Sequence, residues 1–176
     1  MICDTAVNAF MESIETPALV TFSKILAPIF EPIILIVISL IIGSYLYLKS
    51  SKAKGIFFGA MMLITGGIIF ALKELVERAR PMGALISESS FSFPSGHATI
   101  AVVFFGMLVY LFVSKKYQVK GIVITSLLVF LIGLSRLYLR VHWLTDVIGG
   151  FVLGGIILFV GIRVFRRFFI AHRRTR

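Results

Sequence analysis

Five apolar stretches, at residues 32–48, 55–72, 97–113, 121–139 and 143–165, constrain the fold of this chain more than anything else in it. Crossing the hydrocarbon of a bilayer takes roughly 17–25 helical residues, and a helix is the structure that satisfies its own backbone there. Each stretch is of that order, and the second carries its helical pattern on to Arg80. With 59% hydrophobic residues in 176, the chain has too little polar surface to cover a water-soluble core. The predicted fold is therefore all-α, a single-domain polytopic membrane helix bundle with five transmembrane helices. Ahead of them Val7, Phe10, Met11 and Ile14, then Leu19, Phe22, Ile25, Leu26 and Ile29, recur at helical spacing. Pro17, Pro28 and Pro32 interrupt that segment. Residues 1–31 are expected to form short interfacial or re-entrant helices, with a sixth, tilted span as the alternative.

The charges are sorted by position. A formal net charge of +10 would suit a nucleic-acid partner, but its distribution does not. Twelve of the 18 Lys and Arg residues fall at 49–54, 114–120 and from Arg163 onward, with no acidic residue among them. The other six, with all eight acidic residues, fall on the opposite side, which leaves it at −2 against +12. The positive-inside rule places the basic side in the cytoplasm. The excess charge reads as a topology and anionic-lipid signal, and the 166–176 tail, with His172, as a cytoplasmic membrane-surface anchor. Cys3 is the one cysteine, so neither an intrachain disulfide nor a cysteine metal site is available.

Three polar blocks interrupt the apolar pattern, each at the end of a stretch and all on the outer side. The first holds Lys73, Arg80 and Pro81; the second is Pro94-Ser95-Gly96-His97; the third holds Ser135, Arg136, His142 and Asp146. His142 and Asp146 are four residues apart at the start of a helix and share a face. A carboxylate on one ring nitrogen fixes the tautomer and leaves the other nitrogen's lone pair free, which suits His142 to nucleophilic attack. The same spacing also arises where an Asp merely favours a helix dipole. Arg80 and Arg136 offer planar forks for phosphate oxygens and Lys73 a point charge. Continued helix would put Lys73 and Arg80, two turns apart, on one side. Arg78 reads as a snorkelling residue or a local partner of Glu74. Ser95 is a cap candidate at a helix start whose free N–H groups suit an anion, and Gly96 allows close backbone approach. His97 supplies a second imidazole, able to protonate a departing oxygen if its protonation state is opposite to that of His142. Glu88, Tyr138 and Arg140 lie near enough in sequence to touch a head group, Trp143 sits where an interfacial anchor belongs, and Gly149-Gly150 with Gly154-Gly155 suggest close helix packing.

KELVERARP, PSGH and SRLYLRVHWLTD, in that order, resemble the three signature blocks of the type 2 phosphatidic acid phosphatase superfamily of integral membrane lipid phosphatases. The resemblance covers about residues 55–165, which would be the catalytic core. It implies His142 as nucleophile, Asp146 as its partner and His97 as general acid. Lys73, Arg80, Ser95, Gly96 and Arg136 would hold the phosphoryl group, with no metal and no cofactor. It implies a lipid phosphate or diphosphate substrate, with phosphatidylglycerophosphate or undecaprenyl diphosphate favoured over phosphatidic acid or a lipid A phosphate. The expected location is the plasma (inner) membrane with the site on the extracytoplasmic face. No nucleic acid and no obligate protein partner is indicated. A lipid phosphotransferase using the same phosphohistidine is the nearest alternative. A small transporter or channel is more distant, because the charges gather at one face and spare the midplane. The soluble vanadium-dependent haloperoxidases of the superfamily are disfavoured by the hydrophobicity.

Overall fold

In the computed structural model, which describes residues 2–167, prolines and caps divide the amino-terminal segment into two short helices. These are α1 (Ile2–Ser13) and α2 (Pro17–Ile29). The Thr16 side chain caps α2 by accepting from Leu19 N, and Pro17 occupies its first turn, where no N–H is needed. With 12 and 13 residues, neither helix has the length to cross a bilayer by itself. Both instead pack against later helices near the polar blocks, α1 on α6 (Gln118–Tyr138) and α7 (Leu144–Phe165), α2 on α6.

The rest of the bundle is α3 (Pro32–Lys49), α4 (Lys52–Val76) and α5 (Gly96–Phe112), followed by a 3₁₀ turn at Lys115–Tyr117 and then α6 and α7. The all-helical expectation is met. Four helices, α3, α4, α6 with its leading turn, and α7, are long and apolar enough to cross a membrane. The fifth predicted span, α5, has 17 residues because Ser95 starts it and Val113 turns extended after it. At 1.5 Å per residue it is about 25 Å long. Apolar side chains such as Ile41, Leu48, Phe70, Ile124 and Phe159 point outward from the long helices, as a lipid-facing surface requires. The basic tail expected at 166–176 lies almost wholly outside the described residues.

Helix α5 is the centre of the bundle and touches α3, α4, α6 and α7. Ile100, Val103, Phe104 and Met107 pack there against Phe58 and Met62 of α4. In lipid there is little hydrophobic drive between helices, so close backbone approach and van der Waals contact carry the packing. Gly150 and Gly154 of α7 provide it against α5. A β-carbon on Gly150 would come within 2.9 Å of the Ser95 carbonyl oxygen, and one on Gly154 within 2.8 Å of that of Thr99. Close packing is thus what this glycine spacing serves.

Two local expectations fail. His142 precedes α7, so it shares no helix face with Asp146; Trp143 is the N-cap, and the capping turn brings the two side chains near each other. Helix α4 stops at Val76, and Glu77 turns left-handed with φ 47°. Arg80 is not on the helix of Lys73; with Pro81 disfavouring helix just before it, residues 77–95 form a loop back over the bundle end.

Candidate active site

The loop restores by tertiary contact what the broken helix takes away. Lys73 Nζ donates to the carbonyl of Phe91, and Arg80 Nε donates to the neighbouring carbonyl of Ser90 at 2.8 Å. Arg80 Nη1 also donates to the Val141 carbonyl at 2.6 Å and lies 3.4 Å from His142 Nε2. The first and third blocks therefore meet at the imidazole. The second joins them through the main chain, where Ser95 N donates to the Asp146 carbonyl at 3.1 Å. Ser95 Oγ caps α5 as expected, accepting from Ala98 N.

These groups border a cavity of about 350 Å³. Lys73, Arg80, Gly96, His97 and His142 line one side with Glu88; Pro32, Ile33, Ile36, Ile69 and Phe70 form an apolar side between α3 and α4. Ser95, Arg136 and Asp146 are fully buried behind this wall. Arg136 Nη2 donates to Glu88 Oε1 at 2.6 Å, while its Nε and Nη1 have no hydrogen-bond partner. A buried guanidinium with two unused donors is a strong site for an anion's oxygens.

His142 is almost fully buried, with Nδ1 3.5 Å from Asp146 Oδ2. That is longer than a well-formed hydrogen bond, and Nδ1 has no other partner. Burial pushes the imidazole down to about 4; the Asp146 carboxylate opposes this, and the Arg80 and Arg136 charges add to it. The ring is neutral at pH 7. Burial likewise lowers Arg80, against the pull of Glu88 and Asp146. His97 differs: its Nε2 lies 3.2 Å from the Ala27 carbonyl oxygen and 3.3 Å from Glu31 Oε2. The hydrogen bond from His97 holds the Glu31 carboxyl below its usual range.

Four groups near the candidate residues were not singled out from the sequence. Arg78 does not pair with Glu74 as its local spacing suggested. Its Nη1 donates to Asp146 Oδ1 at 2.5 Å and its Nη2 to Asp4 Oδ2 at 2.7 Å. Ser92 Oγ donates to Asp146 Oδ2, which also accepts from Trp143 N at 2.8 Å. Glu31 and Asp4 come from the amino-terminal segment. The one sequence signal for them was that all eight acidic residues fall on the side of the cationic blocks. Burial works to raise the Asp4 carboxyl, but hydrogen bonds from Thr145 and Arg78 hold it low.

Of the three proposed head-group contacts, Glu88 alone borders the cavity. Arg140 is held by Glu12 and Glu15, each at 2.8 Å. Tyr138 Oη accepts from Thr16 N and donates to the Ile14 carbonyl. Both side chains fasten the amino-terminal helices. Trp143 is half-buried and donates from Nε1 to the Ala79 carbonyl. Among the described residues, no group of three or more His, Cys, Asp or Glu side chains gathers as metal ligands would.

Residues 54–170 match the model of the PAP2 superfamily. Phosphatidylglycerophosphatase B of Bacillus subtilis is 39% identical over 112 residues, which are 58% of this chain and 55% of that protein. An undecaprenyl-diphosphatase of Sulfolobus acidocaldarius is 38% identical over 77 residues, 43% of this chain and 34% of its own. The matched segment thus spans about half or less of these curated relatives. A crystal structure of a transmembrane PAP2-type phosphatidylglycerolphosphate phosphatase from Bacillus subtilis superposes with a TM-score of 0.83 at 31% identity, over 94% of this chain and 85% of that one. LpxE of Aquifex aeolicus shares the fold, with a TM-score of 0.71 at 22% identity over 91% of this chain and 94% of its own.

Proposed function

The chain belongs to the PAP2 superfamily, and from that premise we propose that it removes phosphate from a membrane lipid phosphate or diphosphate at the extracytoplasmic face. The observation that carries this reading is the cavity. One side presents Lys73, Arg80, His97 and His142, and the other presents the apolar residues of α3 and α4. A phosphorylated lipid has the same division, with a dianionic head and apolar chains, and it enters laterally from the outer leaflet. Phosphatidylglycerophosphate and undecaprenyl diphosphate are the favoured substrates, in keeping with the names of the two curated relatives.

In the proposed reaction His142 Nε2 attacks phosphorus while Asp146, beside Nδ1, steadies the positive charge that grows on the ring. The phosphorus–oxygen bond to the lipid breaks, and His97 gives its proton to the leaving oxygen. Arg80, Lys73 and the free arms of Arg136 stabilise the charge on the equatorial oxygens. His97 then takes a proton from water, which attacks the phosphohistidine and releases inorganic phosphate and neutral His142. The low proton affinity of buried His142 supports the role of nucleophile.

The test is a panel of lipid phosphates and diphosphates given to the purified protein, with phosphate release, phosphorylated acceptor lipids and acid-labile phosphoenzyme all measured. Phosphate release with a transient phosphohistidine is the expected result. Phosphate appearing on an acceptor lipid instead of in solution assigns a phosphotransferase, and no turnover of any panel member overturns the enzymatic reading.

A further inference from the structure

Arg78 is cationic and close to the site, yet it does not line the cavity. Its Nη1 donates to Asp146 Oδ1 at 2.5 Å and to Thr145 Oγ1 at 2.6 Å, and its Nη2 to Asp4 Oδ2 at 2.7 Å. A guanidinium is planar and rigid, so fixing one arm fixes the other. Asp4 is itself held on both oxygens. Its Oδ1 accepts from Thr145 N at 2.9 Å and from Thr145 Oγ1 at 3.0 Å, in the first turn of α7 and one residue before Asp146. Asp4 is 3% exposed, as a carboxylate is only when it is fully paired. Every one of these contacts converges on the turn and the guanidinium that set the Asp146 carboxylate together with Ser92 Oγ and Trp143 N, which hold Oδ2.

We propose that Asp4, from the first helix, is a positioning residue of the reaction, acting through Arg78 on Asp146 and so on His142. The inference rests on the reading of His142 and Asp146 as nucleophile and partner. Two carboxylates share one guanidinium, so the trio keeps a net negative charge facing the imidazole. Without Asp4, the full charge of Arg78 falls on Asp146, neutralises it and draws it from His142. The growing positive charge on the ring then loses its counter-charge, and the chemical step slows while lipid binding does not. Groups that orient the ligands of a metal site typically matter by about 10–100-fold, and a loss on that scale is expected for a group that orients Asp146. Helix α1 is in this account a working part of the site and not only an interfacial attachment.

The test uses the full chain in mixed micelles with short-chain phosphatidylglycerophosphate, reading kcat and KM separately along with Tm. Asp4→Asn is expected to lower kcat about 10–100-fold with KM within about twofold, and Asp4→Glu to recover part of the loss. In an Asp146→Asn background the same Asp4→Asn change is expected to cost less than about twofold, because the two act as one unit. Glu12→Gln, which loosens α1 at Arg140, is the control and keeps kcat. Should Asp4→Asn fail to fold, Arg78→Lys, which keeps the charge and loses the fork, is expected to give the same kcat loss. Equal losses from Asp4→Asn with and without Asp146, or a loss no greater than that of Glu12→Gln, overturn the proposal. His142→Ala tests the underlying reading separately. If that variant keeps its activity, the nucleophile is misassigned; if it is inactive while Asp4→Asn is not, only the role of Asp4 falls.

Discussion

The first 31 residues and the later region that carries the three polar blocks contribute opposite charges to the same end of the molecule. The later region supplies the cations and imidazoles: Lys73, Arg78, Arg80, His97, Arg136, Arg140 and His142. The early segment supplies counter-charges. Each of its four acidic residues pairs with a group from the later region: Asp4 with Arg78, Glu12 and Glu15 with Arg140, and Glu31 with His97. The division teaches that groups able to hold a phosphate and groups able to set the protonation and geometry of their neighbours need not share a motif. The first kind must converge on one anion and so recur as compact blocks. The second kind needs only to reach a partner, and any segment that folds back can supply it.

Replacing His142 by Ala is expected to lower kcat by about 10³-fold or more and abolish the phosphoenzyme; phosphate release near the parent rate would remove the later region's claim to the chemistry. Arg136→Gln takes away two unused donors behind the cavity, and a loss of about 10²–10³ in kcat is expected by steady-state assay. On the early side, Glu31→Gln leaves His97 without its carboxylate. About tenfold slower turnover is expected, since the acid loses a partner and not itself; a loss as large as that of Arg136→Gln would erase the distinction between the two regions.

A pH titration tests the burial of His142. His142 is expected to take up its proton near pH 4 by NMR, where an unperturbed histidine titrates near 6.5. The sign for stability follows. The unfolded chain binds that proton at higher pH than the folded one, so stability falls as pH drops from about 6.5 toward 4 and is regained on raising it. A midpoint above 6 contradicts the burial argument. The smallest effect is expected from Glu12→Gln, whose exposed carboxylate shares Arg140 with Glu15, at about 0–1 kcal/mol in a denaturation assay.

The helical character, the long apolar helices and the nearness of His142 to Asp146 were legible because each depends on neighbours in the chain. Apolar run length reports a span, and a spacing of four reports nearness, although His142 precedes α7 and meets Asp146 through the capping turn at Trp143 and not along a helix face. What was not legible depended on returns of the chain. Arg80 was read as helical because nothing in KELVERARP announces a left-handed Glu77, a conformation that a non-glycine residue adopts only when its surroundings impose it. Arg78 looked like an ordinary helix-end cation with Glu74 in reach. Its actual partners, Thr145, Asp146 and Asp4, are 67, 68 and 74 positions away, and finding them requires knowing that α1 lies against the start of α7. Tyr138 and Arg140 illustrate the reverse error: proximity in sequence to the third block put them near a head group, while the fold turns them toward the amino-terminal helices.

The glycine contacts between α5 and α7 carry a consequence for how the protein is made. Helix α5 bears Ser95, Gly96 and His97 at its head, is buried along most of its length, and seats against the backbone of α7 at Gly150 and Gly154. That seat leaves the ribosome only after Phe112, the 3₁₀ turn and all of α6 have been synthesised. During biogenesis the most central helix therefore waits in the membrane for α7. A chain interrupted before α7 would hold the first two polar blocks with Ser135, Arg136 and His142, but neither Asp146 nor the seat for α5, so a nascent copy has no assembled site until α7 has been made.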